Sequence, residues 1–263
     1  MKKFLGILVL GLLWCNTSNA CEKEDFITFV EGDSGCIAID KVKNLEDKNR
    51  KKLVVILHGD WDRGLISNFM YNFGYAIKNN DTNIFLMARP GYSTQKNNKS
   101  DGGDRRGTDR GDNYQFKRDV KPVGIAIQNL KKHYNPEKTI LIGHSGGAAT
   151  TGIIIGKFPG LIDDAVLAAC PCNVKKWRAT RKKGKTWPKS DSPHKNVKGI
   201  DKKTRVFVVV GKNDKNTLPK FSKSYHDKLK KENIFTKLML VDADHLGIMK
   251  NNEFIKFTKE LVN

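Results

Sequence analysis

Three residues that could together cleave a carbonyl compound stand in this sequence, each just after an apolar run. Ser145 is the centre of a Gly-x-Ser-x-Gly pentapeptide at 143–147, and Asp214 and His245 follow two later apolar runs. Serine is a weak nucleophile unless a base takes its proton, and a histidine base needs an acid to fix its tautomer. The sequence therefore predicts Ser145 as nucleophile, His245 as general base and Asp214 as the acid that orients it.

The residues around the pentapeptide decide whether its serine is exposed for chemistry. Residues 138–142 are aliphatic and β-branched, whereas residues 148–157 are small, mostly apolar and free of proline. This pattern predicts a strand, a sharp turn and a helix, which is the context of a nucleophile elbow. The N–H of Gly146 at the helix start can then point at a developing oxyanion. The alternative is a tight strand–helix turn that happens to contain serine.

The acid and the base also have ordinary interpretations. An aspartate after Gly-x-Asn often serves only the turn, and a late histidine is often a surface residue. The order Ser145, Asp214, His245 favours catalysis, since it is the serine–acid–histidine order of one large fold and the loops after parallel strands meet at one edge of the sheet. Other histidines compete poorly, and His144 is expected to pack beneath the elbow. Asp242 and Asp244 are alternative candidates for the acid, here called the fallback acids. The remaining histidines are His133, His194 and His226.

A second oxyanion donor is expected in the loop after the apolar run 53–57. Gly59 permits a close turn there, and the N–H of Asp60 is the predicted donor, with Trp61 next. Trp61 has two interpretations, because it could line the pocket for the acyl group or pack in the core.

Apolar runs alternate with helical patterns along the chain, which predicts a parallel sheet covered on both faces. The predicted strands span 26–30, 36–40, 53–57, 84–88, 138–142, 165–169, 205–210 and 236–241. Residues 94–112 read as a long polar loop. Residues 113–134 read as a helix that Pro122 either kinks or starts. Residues 171–203 interrupt the alternation and are predicted to form a basic cap over the strand ends.

The first twenty residues read as a leader. Lys2 and Lys3 precede a short apolar run at 4–14, and small residues stand before Cys21. This pattern predicts a signal peptide at 1–20 and a single domain at 21–263, located in the periplasm or secreted. Export makes disulfides available, and a Cys21–Cys36 bridge would tie down the N-terminal hairpin.

Cys170 and Cys172 are not expected to pair easily, since Pro171 stiffens a very short loop; free thiols or a strained bridge stay open. No cysteine and histidine spacing matches a zinc site, so no metal is expected. The net charge of +20 favours attraction to anionic surfaces, but no motif of a nucleic-acid module is present.

Taken together, the motifs resemble the α/β-hydrolase superfamily. They are Leu57-His58-Gly59, Arg89-Pro90-Gly91-Tyr92-Ser93, Gly143-His144-Ser145-Gly146-Gly147, Gly211-Lys212-Asn213-Asp214 and Asp244-His245. Ser192-Pro193 makes the sequence similar to the dienelactone hydrolase and prolyl oligopeptidase-like branches. The resemblance implies a mostly parallel sheet of about eight strands with helices on both faces, an acyl-enzyme on Ser145 and no cofactor.

The resemblance says little about the substrate. The expected substrate is a small molecule with an ester, or an amide, bond to cleave. Trp61 and Tyr92 are expected to contact it, and the cap lysines are expected to favour anionic partners. A small serine peptidase of the prolyl oligopeptidase type is the first alternative, although no N-terminal propeller is expected to filter access. A non-catalytic binding protein on the same fold is the second alternative.

Overall fold

An eight-stranded sheet forms the centre of the protein in a computed structural model that describes residues 21–42, 50–61, 63–106, 112–181 and 186–263. The predicted signal peptide at 1–20 lies outside the described residues. The strands are β1 (Phe29–Glu31), β2 (Cys36–Lys41), β3 (Lys52–Leu57), β4 (Thr82–Met87), β5 (Lys138–His144), β6 (Asp164–Ala168), β7 (Arg205–Gly211) and β8 (Thr236–Val241).

The strand order is β1-β2-β4-β3-β5-β6-β7-β8. The last six strands in this order, which are β4, β3, β5, β6, β7 and β8, run parallel to one another. β2 pairs antiparallel with both β1 and β4, so the antiparallel part is confined to one edge. Since parallel strands all end at the same edge, the loops after β3, β5, β7 and β8 meet there. This confirms the predicted fold class.

The first strand begins later than the sequence indicated. The Asp25 carboxylate accepts hydrogen bonds from the backbone N–H groups of Ile27, Thr28 and Phe29, and Phe26 has a φ of 58°. The segment expected to open a strand at 26 is therefore a side-chain-capped turn.

Helices cover both faces of the sheet. They are α1 (Asn68–Ala76), α2 (Lys121–Tyr134), α3 (Gly146–Lys157), α4 (Val174–Ala179), α5 (Pro219–Lys231) and α6 (Asn252–Val262). Shorter turns occupy Phe116–Val120, Pro193–Lys195, Val197–Gly199 and Gly247–Lys250. Pro122 stands in the first turn of α2, where its missing N–H costs little, and a π-helical turn at Phe116–Val120 leads directly into this helix.

Successive side chains along each strand point to opposite faces of the sheet, so the core has two layers. Val55 and Leu57 belong to the layer that packs α2, α3 and α5 on the sheet, whereas Val54 and Ile56 belong to the layer under α1 and α6. Strands buried on both faces explain the uninterrupted apolar runs in the sequence. Within the described residues, no helix is long and apolar enough to cross a membrane.

The described part of the chain contains two disulfides. Cys21 is bonded to Cys36, which joins the start of the described chain to β2. Cys170 is bonded to Cys172, against the expectation that the proline between them would oppose pairing. The two Cα atoms are 5.0 Å apart, shorter than the roughly 7 Å of an extended chain over the same two steps, so the chain bends at Pro171 and brings both side chains within the usual span of a disulfide.

Candidate active site

Ser145 stands at a strained turn between β5 and α3. Its backbone has φ 53° and ψ −113°, a region that residues with a Cβ rarely adopt, and its N–H donates to the carbonyl of Ala168 at 2.9 Å. A Cβ on Gly147 would collide with the carbonyl oxygen of Leu57, and one on Gly143 would collide with Gly147. The glycines therefore let β3, β5 and α3 approach closely enough to hold the turn.

The structure brings the serine, histidine and aspartate into one hydrogen-bonded row. His245 Nε2 lies 3.0 Å from Ser145 Oγ, and His245 Nδ1 lies 2.9 Å from Asp214 Oδ2. The three side chains come from the loops after β5, β7 and β8. In this geometry Nε2 can take the proton of the serine while Nδ1–H remains bonded to the carboxylate.

Asp214 is buried and held by more partners than the sequence indicated. The backbone N–H groups of Asn216 and Thr217 both donate to Oδ1 at 2.8 Å, and the hydroxyl of Thr217 lies 2.7 Å from Oδ2. Burial by itself would raise the pKa of Asp214, but the hydrogen bonds from His245 and Thr217 together lower it. The carboxylate therefore stays ionised beside the histidine.

Thr217 was missed by sequence reasoning. Its Oγ lies 3.2 Å from His245 Nδ1 and 2.9 Å from the carbonyl oxygen of Ala169, in addition to its contact with Asp214. A hydroxyl has one proton and two lone pairs, so Oγ can accept from Nδ1–H while donating to one of the two oxygens. An Asp-x-x-Thr spacing after a strand is the local signal that could have identified it.

The loop after β3 lies against the serine, as the oxyanion prediction requires. A Cβ on Gly59 would be only 3.1 Å from the Cβ of Ser145, and one on Gly146 would meet the carboxylate of Asp60. The predicted donors, the N–H groups of Gly146 and Asp60, thus belong to neighbouring residues beside Ser145. Their role toward an oxyanion stays a prediction.

The side chain of Asp60 has a structural role that the sequence did not indicate. Arg89 Nη2 donates to Oδ1 at 2.6 Å, and the Tyr114 hydroxyl donates to Oδ2. Burial alone would lower the pKa of Arg89, but the adjacent Asp60 raises it, and burial together with Asp60 raises the pKa of Tyr114. The hydrogen bonds from Arg89 and Tyr114 fix the loop that carries the N–H of Asp60, the predicted oxyanion donor.

Two buried neutral histidines support the site. The N–H of Arg89 donates to His58 Nε2 at 3.1 Å, so Nδ1 carries the proton and donates to the carbonyl of Gly59 at 2.7 Å. His144 Nε2 donates to the backbone carbonyl of His245 at 2.8 Å. Burial is the main cause that lowers the pKa of His58 to about 3 and that of His144 to about 4. His144 therefore lies beside His245 and holds its loop.

The fallback acids do not contact the base. Asp242 Oδ1 accepts from Asn213 Nδ2 at 3.0 Å, and Asp244 Oδ1 accepts from the N–H groups of Leu246 and Gly247. Both carboxylates thus serve the turns that position the loops after β7 and β8.

A cleft of about 810 Å³ opens above Ser145 and His245. Trp61 lines it and meets Phe69 edge to face at 6.3 Å between ring centroids. Tyr92, which was expected to contact substrate, is buried and does not line the cleft. Its ring centroid lies 4.5 Å from that of His58 and 5.0 Å from the guanidinium carbon of Arg89. Gly91, directly before it, has a φ of 79°, and a Cβ there would collide with the carbonyl oxygen of Gly103.

The described residues hold no group of three or more histidine, cysteine or acidic side chains arranged for a metal ion.

Solved structures with similar folds include both peptidases and esterases. The acylaminoacyl peptidase of Pyrococcus horikoshii has a TM-score of 0.65 and 12% identity; the match covers 89% of this chain and 39% of that one. Est1E from Butyrivibrio proteoclasticus has a TM-score of 0.61 and 13% identity, covering 89% and 94%. The Pyrococcus furiosus esterase Pf2001 has a TM-score of 0.62 and 16% identity, covering 89% of each chain.

Sequence comparisons agree with the fold. No curated protein sequence matches the chain. The chain spans about 39% of the acylaminoacyl peptidase but most of the length of the two esterases. The model of the prolyl oligopeptidase family matches residues 113–263, which include the loops of Ser145, Asp214 and His245. The chain therefore belongs to the prolyl oligopeptidase family, and it has the α/β-hydrolase fold.

Proposed function

We propose that the protein is an exported serine hydrolase that cleaves small carboxylic esters through an acyl-enzyme on Ser145. The observation that carries this proposal is the row of contacts from Ser145 Oγ to His245 Nε2 and from His245 Nδ1 to Asp214, at 3.0 and 2.9 Å.

The reaction follows from these contacts. Ser145 Oγ attacks the carbonyl carbon as its proton passes to His245 Nε2, and the carbonyl electron pair moves to the oxygen beside the N–H groups of Gly146 and Asp60. The carbon–oxygen bond to the leaving alcohol then breaks, and Nε2 gives the alcohol its proton. Water repeats the sequence with His245 as base, which releases the acid and restores Ser145.

Ester substrates are favoured over peptides by the similar structures of comparable length. Est1E and Pf2001 are esterases matched over 94% and 89% of their chains, whereas the acylaminoacyl peptidase is matched over 39%. A peptidase is the second candidate, supported by the family match at 113–263. A panel of 4-nitrophenyl esters against aminoacyl 4-nitroanilides separates the two, since a larger kcat/KM on the anilides would favour the peptidase.

Labelling tests the activated serine directly. The protein is incubated with a fluorophosphonate probe, and the adduct is located by mass spectrometry. We expect one adduct, on Ser145, that is lost in His245→Ala and kept in His226→Ala, a control histidine on α5 that bonds Thr236. A folded protein that stays unlabelled would refute the proposal.

Export is part of the proposal and has its own test. It is supported by the leader pattern at 1–20 and by the Cys21–Cys36 disulfide, because such bonds persist in oxidising compartments. Expression of the full sequence in a Gram-negative host should give a periplasmic product that begins at Cys21. An unprocessed protein in the cytoplasm would contradict the assignment.

A further inference from the structure

An apolar wall of the cleft lies next to His245. Trp61 and Phe69 meet edge to face at 6.3 Å between ring centroids, and the Phe69 ring lies 5.6 Å from that of His144. The His144 ring is in turn 5.2 Å from the ring of His245. Leu246, which follows His245 directly in the chain, also lines the cleft. Trp61, Phe69 and Leu246 are together called the histidine-side wall.

Leu246 presents apolar surface to water at a fixed place. Its exposed fraction is 43%, which is high for a large apolar residue. Its N–H donates to Asp244 Oδ1 at 3.2 Å, and the N–H of Gly247 donates to the same oxygen at 2.6 Å, so the turn holds its backbone. Trp61 and Phe69 are only partly buried as well. Covering this surface with an apolar group of a ligand would be favourable.

The surroundings of the histidine-side wall favour a neutral group. Burial is the main cause that lowers the pKa of His144 to about 4, so its ring is uncharged at neutral pH. The two arginines that line the cleft lie instead against a different aromatic pair. Arg178 lies against both Trp177 and Trp187, and Arg181 lies against Trp177.

The proposed reaction fixes which part of an ester lies beside His245. Nε2 takes the proton of Ser145 and then gives it to the leaving alcohol, so the alcohol oxygen must come within hydrogen-bonding distance of Nε2. The carbonyl oxygen lies instead beside the N–H groups of Gly146 and Asp60. The group attached to the alcohol oxygen therefore extends on the side of His245.

We propose that the histidine-side wall is the subsite for the alcohol part of the ester, and that this part is a neutral aromatic or similarly bulky apolar group. An aromatic ring packs well against the edges and faces of other aromatic rings, which Trp61 and Phe69 supply. The inference rests on the proposed function and deepens it. It names esters of apolar alcohols as the substrate class and Leu246 as a residue that determines specificity, since a methyl ester would leave this wall uncovered.

The test keeps the acyl group and changes only the alcohol. Benzyl acetate and methyl acetate release alcohols of nearly equal acidity, so the two esters have similar chemical reactivity. For each ester, kcat/KM is measured by titrating the released acetic acid at constant pH. We expect benzyl acetate to be preferred about tenfold, because one ring moves from water onto an apolar wall. This preference should fall about fourfold in Leu246→Ala, the effect of about one buried methylene, and should persist in Leu246→Met.

Leu240→Ala is the matched control for the loss of an exposed leucine. Leu240, on β8, has an exposed fraction of 38%, close to the 43% of Leu246, but it does not line the cleft. It should keep the full preference for benzyl acetate. A second pair of esters, methyl phenylacetate and methyl acetate, places the same ring on the acyl side. The ratio of kcat/KM for this pair should not change in Leu246→Ala.

Three results would overturn the proposal. The first is equal kcat/KM for benzyl and methyl acetate in the wild type. The second is a benzyl preference that survives Leu246→Ala, or that Leu240→Ala lowers to the same extent. The third is an equal decrease of both ratios in Leu246→Ala, because the wall would then not distinguish the alcohol from the acyl side.

Fluorophosphonate labelling distinguishes failure of this proposal from failure of the proposed function. An enzyme that is labelled on Ser145 and hydrolyses these esters without the benzyl preference would refute only the subsite. A folded protein that is not labelled and hydrolyses none of them would refute both.

Discussion

Replacing Thr217 by valine should slow the enzyme without weakening substrate binding. Valine has nearly the shape of threonine but removes the hydroxyl that contacts Asp214, His245 and Ala169. A hydrogen bond to a charged group contributes about 1.5–3 kcal/mol. Both Oδ1 bonds of Asp214 come from backbone N–H groups and survive the change, so we take the lower end of that range.

The expected loss in kcat is therefore about tenfold, since about 1.4 kcal/mol in the barrier is a factor of ten. KM should stay unchanged, because Thr217 is fully buried and does not line the cleft. The assay is steady-state hydrolysis of 4-nitrophenyl acetate from pH 5 to 9. Loss of the hydroxyl bond raises the pKa of Asp214 from its lowered position, so activity should begin to fall at a higher pH on acidification.

Thr217→Ser is the matched control, because it keeps the hydroxyl and the backbone N–H. It should recover most of the lost kcat. The reasoning is refuted if Thr217→Val keeps kcat within about twofold of the wild type, or if the serine variant is as slow as the valine variant. Thermal melting of both variants checks that the fold is retained.

Two further outcomes follow from the packing and burial around the site. Gly147→Ala should lower the free energy of unfolding by about 3 kcal/mol or more, because the added Cβ would meet the carbonyl of Leu57. Gly103→Ala is the control and should cost little, because nothing lies within 4 Å of its added Cβ. Similar denaturation midpoints for the two variants would contradict this. His58 and His144 are neutral in the folded protein down to a pH of about 3 and 4, but titrate near 6.5 when unfolded. Their contribution to stability is complete above pH 6.5 and is lost as the pH falls toward those values, by up to about 1.4 kcal/mol per pH unit for each. Urea titrations at pH 7.5 and 5 should show this decrease, and equal stabilities would argue against it.

The sequence predicted the parts of the site that depend on local patterns. Ser145 follows from the elbow pattern, and Asp214 and His245 follow from their positions after apolar strands. The structure places all three within hydrogen-bonding distance because β5, β7 and β8 run parallel and end at one edge. The strands from β2 onward were also predicted nearly to the residue, because buried strands leave continuous apolar runs.

The parts that were missed depend on contacts between distant segments. Tyr114 reaches Asp60 across 54 residues of sequence, and no local pattern indicates that a hydroxyl would support the predicted oxyanion loop. Tyr92 was misassigned because its position after a strand was predictable but its direction was not. The Cys170–Cys172 bond was left open as one of two alternatives, because a sequence rule about proline says nothing about the path of the chain on either side.

The position of β8 has a consequence for how the enzyme loses activity. β8 is an edge strand that pairs only with β7 within the described sheet, and its side chains are largely half-exposed. Edge elements with little buried surface open at lower free energy than the whole domain. Separation of β8 would carry His245 away from Ser145 while the other strands stay paired. Reversible thermal inactivation should thus precede global melting, and it would be seen as loss of fluorophosphonate labelling at temperatures where the circular dichroism is still that of the native protein.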